Sequence, residues 1–250
     1  MQLRAALLMS LMHTWGAAPD TIAAWTTVLD TAELLADTEY QLRALWGLWM
    51  LRINRGEART ALALAERFCD LVTNPADRPV GELMMHASLH YLGDQANARR
   101  IVEGMASRYV TPAHLSHAVP FQYDHLLVAR MLLSRILWMQ GFPDQALQLA
   151  ERSVEDAKAI DQAVWVCYAL EIASLVALWS GDLVAANRYV TALLDSSARH
   201  ALTARHRVAR CFDGARLIKH GEVGEGLERL RTAIDELRGT SFGPYYPIMG

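Results

Sequence analysis

A glycine returns six times along this chain in one local setting, and that recurrence constrains the fold more than any other feature. The six are Gly16 (TWGAAPDTIAAW), Gly56 (NRGEARTALALAE), Gly93 (YLGDQANARRIVE), Gly141 (MQGFPDQALQLAE), Gly181 (WSGDLVAANRYVT) and Gly221 (KHGEVGEGLERLR). They stand 40, 37, 48, 40 and 40 residues apart. Each follows an apolar stretch of helical period and precedes a polar turn and a second helical stretch. A helix ends well when the residue beyond it turns left-handed, which costs glycine nothing. A carboxylate follows at Glu57, Asp94, Asp182 and Glu222, with Asp144 slightly later. There it can accept from the free N–H groups of the second helix and meet its positive end.

Five residues after five of these glycines comes a small residue: Ala61, Ala98, Ala146, Ala186 and Gly226. A small side chain at that point lets two antiparallel helices approach closely. This glycine-x4-small pattern with a helix on each side resembles the tetratricopeptide repeat, whose unit is about 34 residues. The period here is nearer 40 and the aromatic signature is incomplete, so the repeat is tetratricopeptide-like. The resemblance implies an all-α, right-handed solenoid of about six antiparallel helical hairpins, forming one repeat domain over residues 1–250. It predicts turns at the six glycines and no sheet. The longest spacing holds YVTPAHLSHAVPFQYDH, which Pro112 and Pro120 mark as an extended connection.

Longer stretches add a second resemblance. DTEYQLRALWGLWMLRINRGE, LHYLGDQANARR, ILWMQGFPDQALQLAE and ALWSGDLVAANRYVTALLDSSARHAL are similar to the C-terminal helical region of a bacterial regulator family. Its members join an N-terminal winged-helix DNA-binding domain to a predicted nucleoside triphosphatase and then to a long helical-repeat region. The resemblance implies transcription regulation and signal sensing in a bacterial, cytoplasmic setting, with this chain as a fragment of a longer regulator. The chain has no G-x-x-x-x-G-K-[ST] loop and no discernible winged helix. The alternative is a free-standing scaffold that recruits a partner protein and has no link to transcription.

Composition bears on which partners to expect. The net charge of -3 gives no global field toward nucleic acid or an acidic membrane surface. Cys69, Cys167 and Cys211 lie far apart inside helical patterns, as free buried thiols in a reducing compartment would. Met1–Ala18 imitates a secretory signal but reads as the first helix of the first hairpin, with Gly16 in register. Ala163–Trp179 is apolar except for Glu171, is short for a membrane span and ends at an in-register glycine, so it reads as a buried helix.

Catalytic signatures are missing: there is no HExxH, G-x-S-x-G, GxGxxG or zinc-type Cys/His spacing. The expectation is a protein that is not an enzyme and needs no cofactor and no metal. His114, His117 and His125 with Asp124 could hold a metal, but loop polarity is the simpler reading. The basic stretch Arg199, His200, Arg205, His206, Arg207, Arg210 and Arg216 is expected to pair with acidic neighbours rather than meet phosphate.

The first helix of each hairpin lines the concave side of a tetratricopeptide array. By that resemblance, positions 2, 3, 6, 10 and 13 before each turn glycine face the groove. They include Arg43, Trp46, Asn54, His90, Arg135, Trp138, Glu171 and Trp179, the candidate ligand- or partner-binding residues. Tryptophan and arginine are the residue types that dominate binding hot spots. The competing reading is that an aromatic stripe at helical spacing is core. The expected partner is a protein, peptide or small molecule. Direct contact with nucleic acid or membrane is not expected, and a homo-oligomer is compatible with the reading.

Overall fold

The structure, a computed structural model, describes residues 19–108, 125–160 and 162–238. The described residues form eleven α-helices and one short 3-10 turn, with no strand among them. The helices are α1 (Pro19–Leu34), α2 (Thr38–Asn54), α3 (Ala58–Leu71), α4 (Arg78–Tyr91), α5 (Gln95–Arg108), α6 (His125–Met139), α7 (Pro143–Ile160), α8 (Ala163–Ser180), α9 (Leu183–Arg199), α10 (Thr203–Lys219) and α11 (Val223–Arg238). Gly16, the leader-like segment and the His114–His117 part of the metal candidate lie outside the described residues.

The repeat glycines do what their spacing predicts. Gly56, Gly93, Gly141, Gly181 and Gly221 all have positive φ, between 73° and 93°. Each closes the same pair of bonds. The glycine N–H donates three residues back, as Gly56 does to Ile53, and the next N–H donates five back, as Glu57 does to Arg52. The carboxylates that follow divide by length. Asp182 accepts from the Ala185 N–H at 3.0 Å and Asp94 from the Asn97 N–H at 3.1 Å. Glu57, one methylene longer, makes no such cap and instead pairs with Arg52 and Arg55.

The described residues divide into two compact units, one up to Ala129 and one from Arg130 onward. In the first, α1 to α5 pack each against the next, and the first helices α2 and α4 also touch. Trp49 on α2 donates to the Ser88 hydroxyl on α4 at 2.9 Å. In the second, α7 to α11 pack in succession and the first helices α8 and α10 touch. Contact between successive first helices is what a stacked-hairpin repeat requires. The small residues five past each turn are in place: Ala61, Ala98, Ala146 and Ala186 are fully buried. The apolar α8 is a core helix of its unit, with 61% of its 18 residues buried.

Two features were not visible in the repeat. The connections α1–α2 and α9–α10 use the same left-handed turn with alanine in place of glycine, at Ala36 (φ 50°) and Ala201 (φ 53°). Alanine held there is strained by about 1–2 kcal/mol, while glycine loses more freedom on folding by about 0.5–1 kcal/mol. Ala201→Gly should therefore raise stability by about 0.5–1 kcal/mol, read as a higher urea midpoint at unchanged slope. Second, Cys69 is exposed and departs from the expectation of buried thiols, whereas Cys167 and Cys211 are buried.

His86 on α4 is wholly buried, and its Nδ1 lies 2.7 Å from the Ala98 carbonyl on α5. Burial pushes its pKa down from 6.5 to about 4, against the opposing effect of backbone hydrogen bonds. Below pH 6.5 the unfolded chain takes up a proton that the folded chain refuses until about pH 4. Stability should therefore be unaffected by this group above pH 6.5 and fall by about 3 kcal/mol as pH drops toward 4. His86→Gln should flatten that part of the profile in melts taken from pH 7 to pH 4.

Candidate functional site

The offsets before the turn glycines sort into buried and open positions once the helices are packed. Ten residues before the glycine the side chain is always core: Trp46, Leu83, Met131, Glu171 and Cys211 are each 2% exposed or less. Two residues before it the side chain is never sealed: Asn54, Tyr91 and Trp179 are half-buried, and Met139 and Lys219 are exposed. The other offsets are mixed.

The candidates divide accordingly. In the first unit, Trp46 is packed at 2% exposure, so its place at an open groove is corrected to one in the core. His90 is corrected in the same way, with its Nδ1 2.8 Å from the Gln95 amide oxygen. Arg43 is half-buried, stacks over the Tyr40 ring at 5.0 Å and pairs with Glu39. Asn54 is half-buried at the end of α2.

In the second unit three of the four candidates, Arg135, Trp138 and Trp179, come together. Trp138 at the end of α6 and Trp179 at the end of α8 are both half-buried, with ring centroids 4.9 Å apart and planes tilted by 37°. Such a tilted aromatic pair is a favourable arrangement. Arg135, one turn earlier on α6, is 3% exposed and its guanidinium carbon lies 5.9 Å from the Trp179 ring. This cation–π contact shows how a buried arginine is accommodated beside an indole.

Two turns earlier on α8, Glu171 is completely buried, so its place at an open groove is corrected to one in the core, as is that of Arg135; one Glu171 carboxylate oxygen accepts from Arg205 on α10 at 2.6 Å. Arg205 lies 4.8 Å over the half-buried Tyr168 ring. Tyr168 and Arg205 carry chemistry here and were not among the candidates. Tyr168 sits 13 residues before Gly181, an offset the repeat had marked, but nothing in the sequence joined it to Arg205.

Three arginines of the basic stretch pair with carboxylates of their own unit. Arg205 pairs with Glu171, Arg210 with Glu236 at 2.7 Å, and Arg216 with the largely buried Asp213 at 2.7 Å. Asp213 also accepts from Arg229 on α11. The Ser197–His206 contact (3.0 Å) has a buried serine whose hydroxyl serves the Leu194 carbonyl, which suits helix packing rather than nucleophilic chemistry.

Fold and site together define a class: an all-α, tetratricopeptide-like helical repeat protein with an aromatic and charged patch on successive first helices of its second unit. Solved structures agree on the fold. The chain is similar to a Rap protein solved in complex with competence and sporulation factor, with TM-score 0.62 and 10% identity over 95% of this chain and 77% of that one. It is also similar to a protein from Podospora anserina described as a kinesin light chain of nearly identical tetratricopeptide-like repeats, with TM-score 0.51 and 12% identity over 80% of this chain and 95% of that one. No protein-family model and no curated protein sequence matches the chain.

Proposed function

We propose that this chain is the ligand-sensing or protein-interaction region of a cytoplasmic bacterial transcription regulator, one repeat domain of a longer protein. It takes a peptide, protein or small molecule on the first-helix face of its second unit. Its work is recognition and coupling, with no covalent step and no cofactor. The observation that carries the binding reading is the pair Trp138 and Trp179, two large indoles left half-buried and side by side with Arg135 against Trp179. Paired aromatics with an adjacent arginine are the composition of a binding hot spot. The structurally similar Rap protein was solved with a bound factor, which supports a binding role for this kind of fold. The regulatory setting rests on the sequence resemblance alone.

The test is a random peptide library displayed on phage and selected on the wild-type protein. Peptides so enriched should bind Trp138→Ala about 30-fold more weakly, corresponding to about 2 kcal/mol, while the variant melts close to wild type. Peptides that bind both proteins equally, or a variant destabilised by about 3–5 kcal/mol as a filled core position would be, make Trp138 a packing residue and defeat the proposal.

A further inference from the structure

Glu171 occupies a place that the rest of the fold gives to apolar side chains. Its counterparts ten residues before the other described turn glycines are Trp46, Leu83, Met131 and Cys211, all buried. A carboxylate there is expensive. Burying the charge strips its water, and replacing a buried ion pair by well-packed apolar groups is often neutral or stabilising. Arg205 satisfies only one of the two oxygens, Oε2 at 2.6 Å. The other, Oε1, is buried and has no hydrogen-bond partner. A half-satisfied buried carboxylate is a poor structural device and a good receptor for a donor that arrives from outside.

The surroundings indicate which donor. Arg205 (side chain 22% exposed), which holds Oε2, lies over the Tyr168 ring, and both residues are half-buried. Oε1 is sealed, so a donor from outside reaches it only when side chains at this site move aside. The carboxylate shares its charge over both oxygens, so the unpartnered Oε1 favours a compact, positively charged N–H donor. A primary ammonium meets that description. The distance to the aromatic pair is fixed by the helix. Glu171 and Trp179 are eight residues apart on α8, which at 1.5 Å per residue is about 12 Å along one face. An extended peptide covers about 3.3 Å per residue, so 12 Å is about four residues.

We propose that Glu171 is the receptor for a primary ammonium of a peptide ligand. An apolar side chain about four residues downstream seats against Trp138 and Trp179. The inference rests on the binding face proposed above and adds the ligand's chemistry to it. The ammonium could be the peptide's amino terminus or a lysine side chain, and the two are separable.

The probes are synthetic pentapeptide pools with phenylalanine fixed at the fifth position. One pool has a free amino terminus and norleucine at the first position; a second is acetylated with norleucine; a third is acetylated with lysine. Binding is followed by the change in tryptophan fluorescence and by calorimetry. The free-amine or the lysine pool should bind at least tenfold more tightly than the acetylated norleucine pool, identifying which amine is read. Glu171→Gln should erase that ratio, while Trp138→Ala should weaken all bound pools alike and leave the ratio intact. Equal binding of all three pools that still depends on Trp138 overturns the ammonium site and leaves the binding face standing. A ratio that survives in a folded Glu171→Gln also overturns it, the free oxygen then serving an internal water only. No binding by any pool overturns the ammonium site, and the phage-selected peptides then decide the binding face by their dependence on Trp138. If Glu171→Gln does not fold, the comparison of pools on the wild-type protein decides.

Discussion

Trp46→Ala is expected to cost about 3–5 kcal/mol of folding stability, among the largest effects any single truncation should have here. Trp46 is 2% exposed on α2, among helices whose other inward residues, including Ala44, Leu45 and Leu48, are also buried. Removing an indole there deletes its transfer free energy and leaves a cavity that helices fixed at both ends by left-handed turns cannot easily close. Urea unfolding should show a lower midpoint with little change in slope. The sharpest comparison is with Trp138→Ala, the same change at a half-open position in the second unit. A loss of less than about 1 kcal/mol at Trp46 would mean that the site is open and would return it to the candidate binding residues.

The second large effect concerns a contact without side chains. Gly214 on α10 and Gly226 on α11 face each other so closely that a methyl on either would collide with backbone. A Cβ on Gly214 would lie 2.8 Å from the Leu230 nitrogen and 2.9 Å from the Gly226 carbonyl. One on Gly226 would lie 2.8 Å from the Gly214 carbonyl. Backbone cannot rotate aside, so the two helices must separate along their length. Gly214→Ala should cost about 3 kcal/mol or more in overpacking, offset by about 1 kcal/mol of better helix propensity, for a net loss of about 2–3 kcal/mol. Gly104→Ala is the control. There the nearest atom to a Cβ is Arg108 Nη1 at 3.5 Å, the end of a flexible side chain. The gain in propensity should then stand alone, about 1 kcal/mol in the stabilising direction. Equal effects at the two glycines, in thermal melts of both variants, would show that the α10–α11 contact is not tight.

Much of this architecture was legible because its signals are local. A glycine at positive φ is nearly the only comfortable end for a helix that must turn back within a few residues, so Gly56, Gly93, Gly141, Gly181 and Gly221 announce their turns. The small residue five positions on follows from the same geometry, since it falls where the returning helix crosses closest. Where that logic is relaxed, the sequence is silent. Ala36 and Ala201 make the same turn at some cost in strain, and nothing in an alanine says so.

The sequence by itself therefore determined the fold class, the hairpin turns and the close-packed small positions, because each depends on the chain's own backbone and nearest neighbours. Only the tertiary structure decided which residues of the first helices are core and which are open. Trp46, Glu171 and Trp179 all carry offsets that the tetratricopeptide resemblance assigns to the groove, yet the first two are sealed and the third is half-buried. Periodicity gives the direction of a side chain around its helix. Exposure depends on what the next helix places in front of it, and that contact joins residues far apart in sequence. Glu171 and Arg205 are 34 positions apart and meet at 2.6 Å because α8 and α10 pack side by side.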